Sequence, residues 1–252
     1  MKNVLLSNED FQDFPIGEFP YDKDHTAMGE YQYVVENGYH GNWVDMVCNY
    51  TYNGTGPTWL ITERDGRHFM ESMRIEKNRP HRMFPTLETG KHQWKDYEVS
   101  VSVRRLSQKG MAGLVFSMNH SMDGKDKAAV AYRHKEEVQI LKEVSFPHGC
   151  DQEYRLKVDC DGRIAKVYVD DQELFRVEDD LVARGGKVGI TADCPSRFAD
   201  FKVCVSEKTK QEIDMAELAA KEAETEEMKK HPKMKLWKKI DLKNFGTSRQ
   251  IR

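Results

Sequence analysis

No apolar run in this sequence is long enough to cross a bilayer, so no membrane partner is expected. There is no basic excess either. The net charge is −3, which argues against a general nucleic-acid surface. Five cysteines occur (Cys48, Cys150, Cys160, Cys194 and Cys204), with no CxxC pair. An odd count without paired spacing reads as reduced, mostly structural thiols in a reducing, cytoplasmic compartment. HExxH, G-x-S-x-G, P-loop and Cys/His zinc spacings are all missing, which removes the commonest motif-borne catalytic sites. The opening MKNVLLSNEDF has one lysine and a very short apolar piece, so it reads as a strand start rather than a signal peptide.

What is present is a hydrophilic but globular chain. Apolar residues make up 38% and charged residues 32% of 252 positions, enough for one large β domain or two smaller ones. Residues 3–6 form a candidate first strand, Asn8-Glu9-Asp10 a turn, and Phe11 and Phe14 core anchors. A loop follows over Ile16–Thr26, then strand character over Tyr31–Val35. PTWLIT and HFMESMR flank Arg64-Asp65-Gly66, whose Asp-Gly is a hairpin signal. Tyr97, Val99, Val101 and Val103 alternate with Glu98, Ser100, Ser102 and Arg104, a period of two that puts one face on a core. The unbroken run Met111–Met118 predicts a strand buried on both faces. Further strands are predicted near 128–134, 137–142, 154–158, 164–170, 186–192 and 198–205, with a tight turn at Asp161-Gly162. Short strands at this spacing, without helices between them, predict an all-β, antiparallel two-sheet sandwich over 1–205.

Composition changes at Ser206. Lys208–Lys230 has no Gly or Pro and is rich in Glu, Lys and Ala, so it reads as a helix with a thin apolar stripe, stopped at His231-Pro232. The expected organisation is a sandwich over 1–205, a helical linker over 206–232, and the first strand of a truncated domain over 233–252.

The densest chemistry lies between Gly41 and Leu87. Trp43 and Trp59 offer ring faces for the C–H side of a sugar, with Glu63 and Arg64 nearby. The run Arg79-Pro80-His81-Arg82 offers donors, and the planar fork of arginine suits a uronic-acid carboxylate. Arg133 and His134 join the set if both stretches share a concave sheet. The competing reading makes the aromatics core and the charges solvated.

Several stretches together resemble a concanavalin A-like lectin/glucanase jelly roll. They are Trp94–Val99, Gly110–Phe116, Tyr154–Val158, Val167–Asp170, Gly186–Ile190 and Arg197–Val203, spread over roughly 90–205. The family implies a jelly-roll sandwich but not one activity, because lectins, laminin-G modules and glucanases share it. The tail Leu236–Asp241 with Phe245-Gly246-Thr247 resembles the entry into the propeller of rhamnogalacturonan-lyase-type enzymes. That likeness implies an accessory domain of a pectin-active enzyme, with an oligo- or polysaccharide and a following domain as partners. The jelly-roll likeness also implies a structural calcium ion where the N-terminal loop meets the last strand. Asp200 stands at the resembling position, with Glu9 or Asp10 to meet it. The alternative is that Asp200 hydrogen-bonds the N-terminal loop.

Two acidic patterns bear on catalysis. Glu212-Ile213-Asp214-Met215-Ala216-Glu217 matches the E-x-D-x-x-E string of laminarinase-like glucanases, but falls in the predicted helix. There Glu212 and Asp214 stand about 200° apart and cannot converge. Glu63 and Glu71 flank the predicted hairpin and form the remaining candidate acid–base pair, for a glycoside hydrolase working through the sandwich itself. The leading expectation is a non-catalytic carbohydrate-binding module; a structural module packed on a following propeller is the third.

Overall fold

A computed structural model describes residues 1–19, 43–45, 59–72, 86–107, 110–116, 119–123, 127–134, 137–147 and 149–230. The predicted strands at Tyr31–Val35 and Leu236–Leu242 lie outside the described residues.

The chain folds into two antiparallel sheets. The larger has nine strands among the described residues. Its path runs β14 (Gln172–Glu178), β13 (Ile164–Val169), β12 (Glu153–Asp161), β7 (Glu98–Arg105), β16 (Ser196–Val205), β5 (Arg67–Ser72), β4 (Trp59–Arg64) and β2 (Gly17–Phe19). Off that path, β1 (Val4–Glu9) pairs with the second half of β16. The seven-stranded sheet runs β11 (Glu137–Ser145), β10 (Lys127–His134), β9 (Asn119–Asp123), β8 (Ala112–Phe116), β15 (Val188–Ala192), β6 (Thr86–Thr89) and β3 (Val44–Asp45). A short helix, α1 (Asp180–Ala183), and a long one, α2 (Glu207–Lys230), complete the described elements. The architecture is therefore the expected all-β, jelly-roll-like sandwich followed by a helix.

Alternation builds the core. Val99, Val101 and Val103 of β7 face inward with Leu156 and Val158 of β12 and Phe198, Phe201, Val203 and Val205 of β16. Facing them are Leu114 and Phe116 of β8 and Val188 and Ile190 of β15. Phe11 and Phe14 are core anchors, as their positions predicted. Residues on these facing strands fill the space between the sheets, which is the main favourable contribution to such a fold.

Strand β16 carries the one irregularity that matters for function. Its register to β7 shifts between Ala199 and Lys202, and Asp200 takes a φ of +51° there. One edge of β16 pairs with β5 up to Phe198 and with β1 from Phe201 on. The bulge hands the edge from one partner to the other, and bulges re-aim side chains in this way.

Two sequence expectations change. Asn8-Glu9 is not a turn: β1 runs on to Glu9, because its backbone finds a partner in β16. Strands β2, β3, β6, β9 and β14 were not legible as strands, and β2 lies within the expected loop over Ile16–Thr26; β14 buries only Phe175 and Val177 from a charged edge strand, too few for a clear alternation. Residues 207–230 do form a helix. It is anchored by Ile213, which is 1% exposed, while Met215 and Leu218 stand 72% and 58% exposed. Ion pairs Lys91–Glu217 and Lys95–Glu212 hold α2 on the sandwich beside Trp94.

Candidate functional site

The expected sugar-binding tryptophans are corrected by their burial. Trp43 is 4% and Trp59 0% exposed; Trp43 meets Phe11 and Phe201, and Trp59 meets Phe198. Neither ring face is open to a ligand, because both rings fill the core. Glu63 and Arg64 are exposed at the end of β4, where the Arg64 guanidinium donates to the Glu63 carbonyl at 2.9 Å. Arg133 and His134 end β10, opposite Val138 and Glu137 in the seven-stranded sheet. They do not share a sheet with Glu63 and Arg64, so the expected common surface is not assembled there. Arg79, His81 and Arg82 lie outside the described residues.

Glu63 and Glu71 do not form a carboxylate pair. The Thr62 hydroxyl donates to the Glu71 carboxylate at 3.0 Å, so Thr62 and Glu71 share a face. Glu63, one position along, points to the opposite face, where it pairs with His68. The string Glu212–Glu217 is helical: Glu212 pairs with Lys95, Asp214 with Lys210 at 2.6 Å, and Glu217 with Lys91.

The two expected calcium ligands are committed elsewhere. The chain does bring β1 against β16 beside Asp200. The Asp200 carboxylate, however, takes the Arg67 guanidinium and the Ser102 hydroxyl, the latter at 3.2 Å. The Asp10 carboxylate accepts the Gln12 N–H at 3.0 Å. Among the described residues no three acidic, His or Cys side chains gather as a ligand set. A calcium ion needs about 6–8 oxygens, and a carboxylate already neutralised by a guanidinium is a poor start. These residues do not fit the ion.

What the structure does assemble is a polar lattice on the outer face of the nine-stranded sheet. Register places Leu60, Glu71, Arg197, Arg104 and Glu153 in one cross-strand row over β4, β5, β16, β7 and β12. The Arg197 Nε–H donates to Glu71 at 2.8 Å. Arg67 reaches across to both Glu153 oxygens at 3.1 and 3.2 Å, while its guanidinium lies 4.9 Å from the Phe69 ring centroid. In the rows below, Arg155 donates to the Ser100 hydroxyl at 3.1 Å, and Lys157 lies 4.6 Å from the Tyr168 ring centroid.

One member of the lattice is incompletely satisfied. Arg104 stands directly opposite Arg197, a like-charged pair that costs stability. Its guanidinium is 3.6 Å from Asp151 and 4.0 Å from Glu153, and its buried Nε–H has no hydrogen-bond partner among the described residues. Chemically, this face presents fork-shaped donors and carboxylate acceptors held in fixed directions by one another, next to the apolar Leu60 and Phe69. Donors and acceptors of this kind are able to hydrogen-bond hydroxyls and carboxylates. The sequence signal was there in Ser100, Ser102 and Arg104, the outward half of the clearest alternation. It read only as a wet face, because cross-strand register is not visible in one strand.

No family model matches the sequence, and no curated protein matches it. Solved structures that are similar include a LamA variant from Z. galactanivorans in complex with laminaritriose and laminaritetraose. It is 11% identical over 81% of this chain and 100% of that one, at a TM-score of 0.49. A protein of unknown function with a galectin-like fold from Bacillus subtilis is 10% identical over 82% and 99%, at 0.47. The carbohydrate binding module CBM66 from Bacillus subtilis is 16% identical over 64% and 94%, at 0.46. By their descriptions one of these neighbours is a carbohydrate binding module and another holds laminarin-type oligosaccharides; at such identities neither ligand nor activity carries over with the likeness.

Proposed function

We propose that this sandwich is a carbohydrate-binding module, non-catalytic by itself, that takes its glycan on the outer face of the nine-stranded sheet. The observation that carries the reading is the lattice of Arg67, Glu71, Glu153, Arg197 and Asp200, each held by a neighbour, around the less satisfied Arg104. Preorganised donors and acceptors lose little conformational entropy on binding, which is what a weakly hydrophobic, hydroxyl-rich ligand demands. Leu60, half-buried at the end of the same row, supplies the apolar contact for sugar C–H groups.

The finer reading is an acidic, pectic glycan. The terminal nitrogens of Arg104 stand 3.6 and 4.0 Å from their carboxylate neighbours, beyond hydrogen-bond distance, and a uronate carboxylate would take them as a paired fork. The basic run Arg79, His81 and Arg82 supports the same preference from the sequence. An accessory role beside a polysaccharide-degrading domain follows from this specificity.

The test is isothermal titration of the full chain with oligogalacturonate, glucan and xylan oligosaccharides. Oligogalacturonate is expected to bind, with affinity reduced about tenfold or more in Arg104→Ala and weakened by salt. Absence of heat with every oligosaccharide sinks the binding reading; binding of neutral oligosaccharides alone sinks the acidic preference.

A further inference from the structure

A second recess lies away from the lattice, where the free edges of the two sheets come together. The exit of β11, the start of β12 and the β13–β14 hairpin border an open recess of about 540 Å³. That is within the range of about 300–1,000 Å³ typical of small-molecule sites. Phe146, Tyr154, Gln152, Asp170, Gln172 and Leu174 line it. Glu153 belongs to the lattice, and Tyr154, the next residue of β12, points to the other face of the sheet. The two places are therefore separated by the sheet itself.

From this geometry we infer that the cavity is a second saccharide site, selective for a neutral sugar ring. Its walls are fixed. The Tyr154 hydroxyl accepts the Gly149 N–H at 2.9 Å, and the Phe146 and Tyr154 rings meet edge to face at 5.8 Å. The hairpin turn is Asp170-Asp171, with φ of +48° and +63°. Asn-Gly makes such a turn with less strain. Here each carboxylate instead has a duty: Asp170 accepts the Arg155 N–H at 2.8 Å, and Asp171 pairs with Lys157 at 3.0 Å. The bond to Arg155 uses one oxygen of Asp170 and holds the carboxylate at the rim of the cavity.

The free groups define the ligand. Gln152 and Gln172 make no side-chain hydrogen bond among the described residues, and each amide offers two donors and an acceptor. With the Asp170 carboxylate, they match vicinal hydroxyls, which donate and accept at once. Leu174, Val169 and the half-buried aromatics supply the apolar wall against which a sugar's C–H face packs. Among the described residues no lysine or arginine lines the cavity, and one aspartate does, so a uronate is repelled where a neutral ring is accepted.

The decisive measurement is proton–nitrogen NMR on the full chain, titrated separately with laminaritriose, cellotriose, xylotriose and trigalacturonate. The expected result is a saturable shift of the Gln152 and Gln172 side-chain amides with at least one neutral trisaccharide, and none with trigalacturonate. Gln172→Ala, at an exposed position, is expected to weaken that binding about tenfold while leaving the spectrum folded. The inference is overturned if neither amide shifts up to about 10 mM of any neutral trisaccharide, if trigalacturonate shifts them equally, or if Gln172→Ala binds as the parent does. The arginine Nε–H signals of Arg104 and Arg197 report the sheet face in the same spectra, so failure here and failure of the lattice reading are separately visible.

Discussion

The outer faces of the two sheets solve opposite problems with the same strand geometry. On the nine-stranded sheet the outward side chains are long and charged, and they pair sideways: Glu71 with Arg197, and Glu153 with Arg67. On the seven-stranded sheet the outward positions of its middle, Glu88 apart, are small and buried. Gly113, Thr191 and Thr86 form one cross-strand row, and Val115, Gly189 and Glu88 the next. Val115, Thr191 and Thr86 are all buried. A long side chain can swing when its neighbour changes; a close backbone contact cannot. The first face should therefore tolerate substitution at little cost in stability, and the second should not.

The strongest way to break that contrast is Gly189→Ala. A Cβ there would stand 2.0 Å from the Leu87 carbonyl oxygen, a backbone atom of the neighbouring strand that no rotamer change can clear. Separating β15 from β6 in mid-sheet is expected to cost more than about 3 kcal/mol and to lower Tm by more than about 10 °C in a thermal melt. A loss under about 1 kcal/mol would mean that this face is as forgiving as the other.

On the lattice the expected losses are smaller, and they rank by what is left unpaired. Glu71→Ala strands the Arg197 guanidinium, whose side chain is only 15% exposed, and removes the acceptor of Thr62. Urea unfolding should show a loss of about 1–3 kcal/mol, largely recovered in Glu71→Gln, which keeps an acceptor oxygen. Glu153→Ala leaves Arg67 its second partner, Asp200, and the pair is about one-third exposed. The expected loss is below about 1 kcal/mol. The reverse ranking would show that Arg67, not Arg197, anchors the face.

The same contrast explains what could be read from the chain beforehand. Strands that bury one face announce themselves by alternation, so β7, β12, β13 and β16 and their inward valines and phenylalanines were legible. The helical fate of Glu212–Glu217 was legible from Gly- and Pro-free composition. The site was not. Trp43 and Trp59 were drawn to a sugar by residue type, yet type does not say which face a ring takes, and both went to the core. Asp200 was singled out for calcium, and the structure spends it on Arg67, a partner 133 residues away whose approach depends on the bulge in β16. Register across five strands made the lattice, and the edge groove needed both sheets. Neither is encoded in any local pattern.

A final prediction sharpens the contrast through pH. Glu88 stands opposite Gly189 on the tight face, and burial pushes its carboxyl above the usual carboxylate range. Lys187, at 3.7 Å, and His92 pull the other way without cancelling that effect. A carboxyl whose folded pKa is raised favours the folded state fully below its ordinary value of 4.5. That advantage is lost as pH rises through the folded pKa, where the half-buried group must ionise. Glu88→Gln removes the ionisation, so its stability relative to the parent should improve between about pH 4 and about pH 7. Urea unfolding of both proteins at the two pH values reads this directly. The opposite sign, with the variant losing ground as pH rises, would mean that the ion pair to Lys187 outweighs burial. The seven-stranded face would then hold a charge as comfortably as the lattice does.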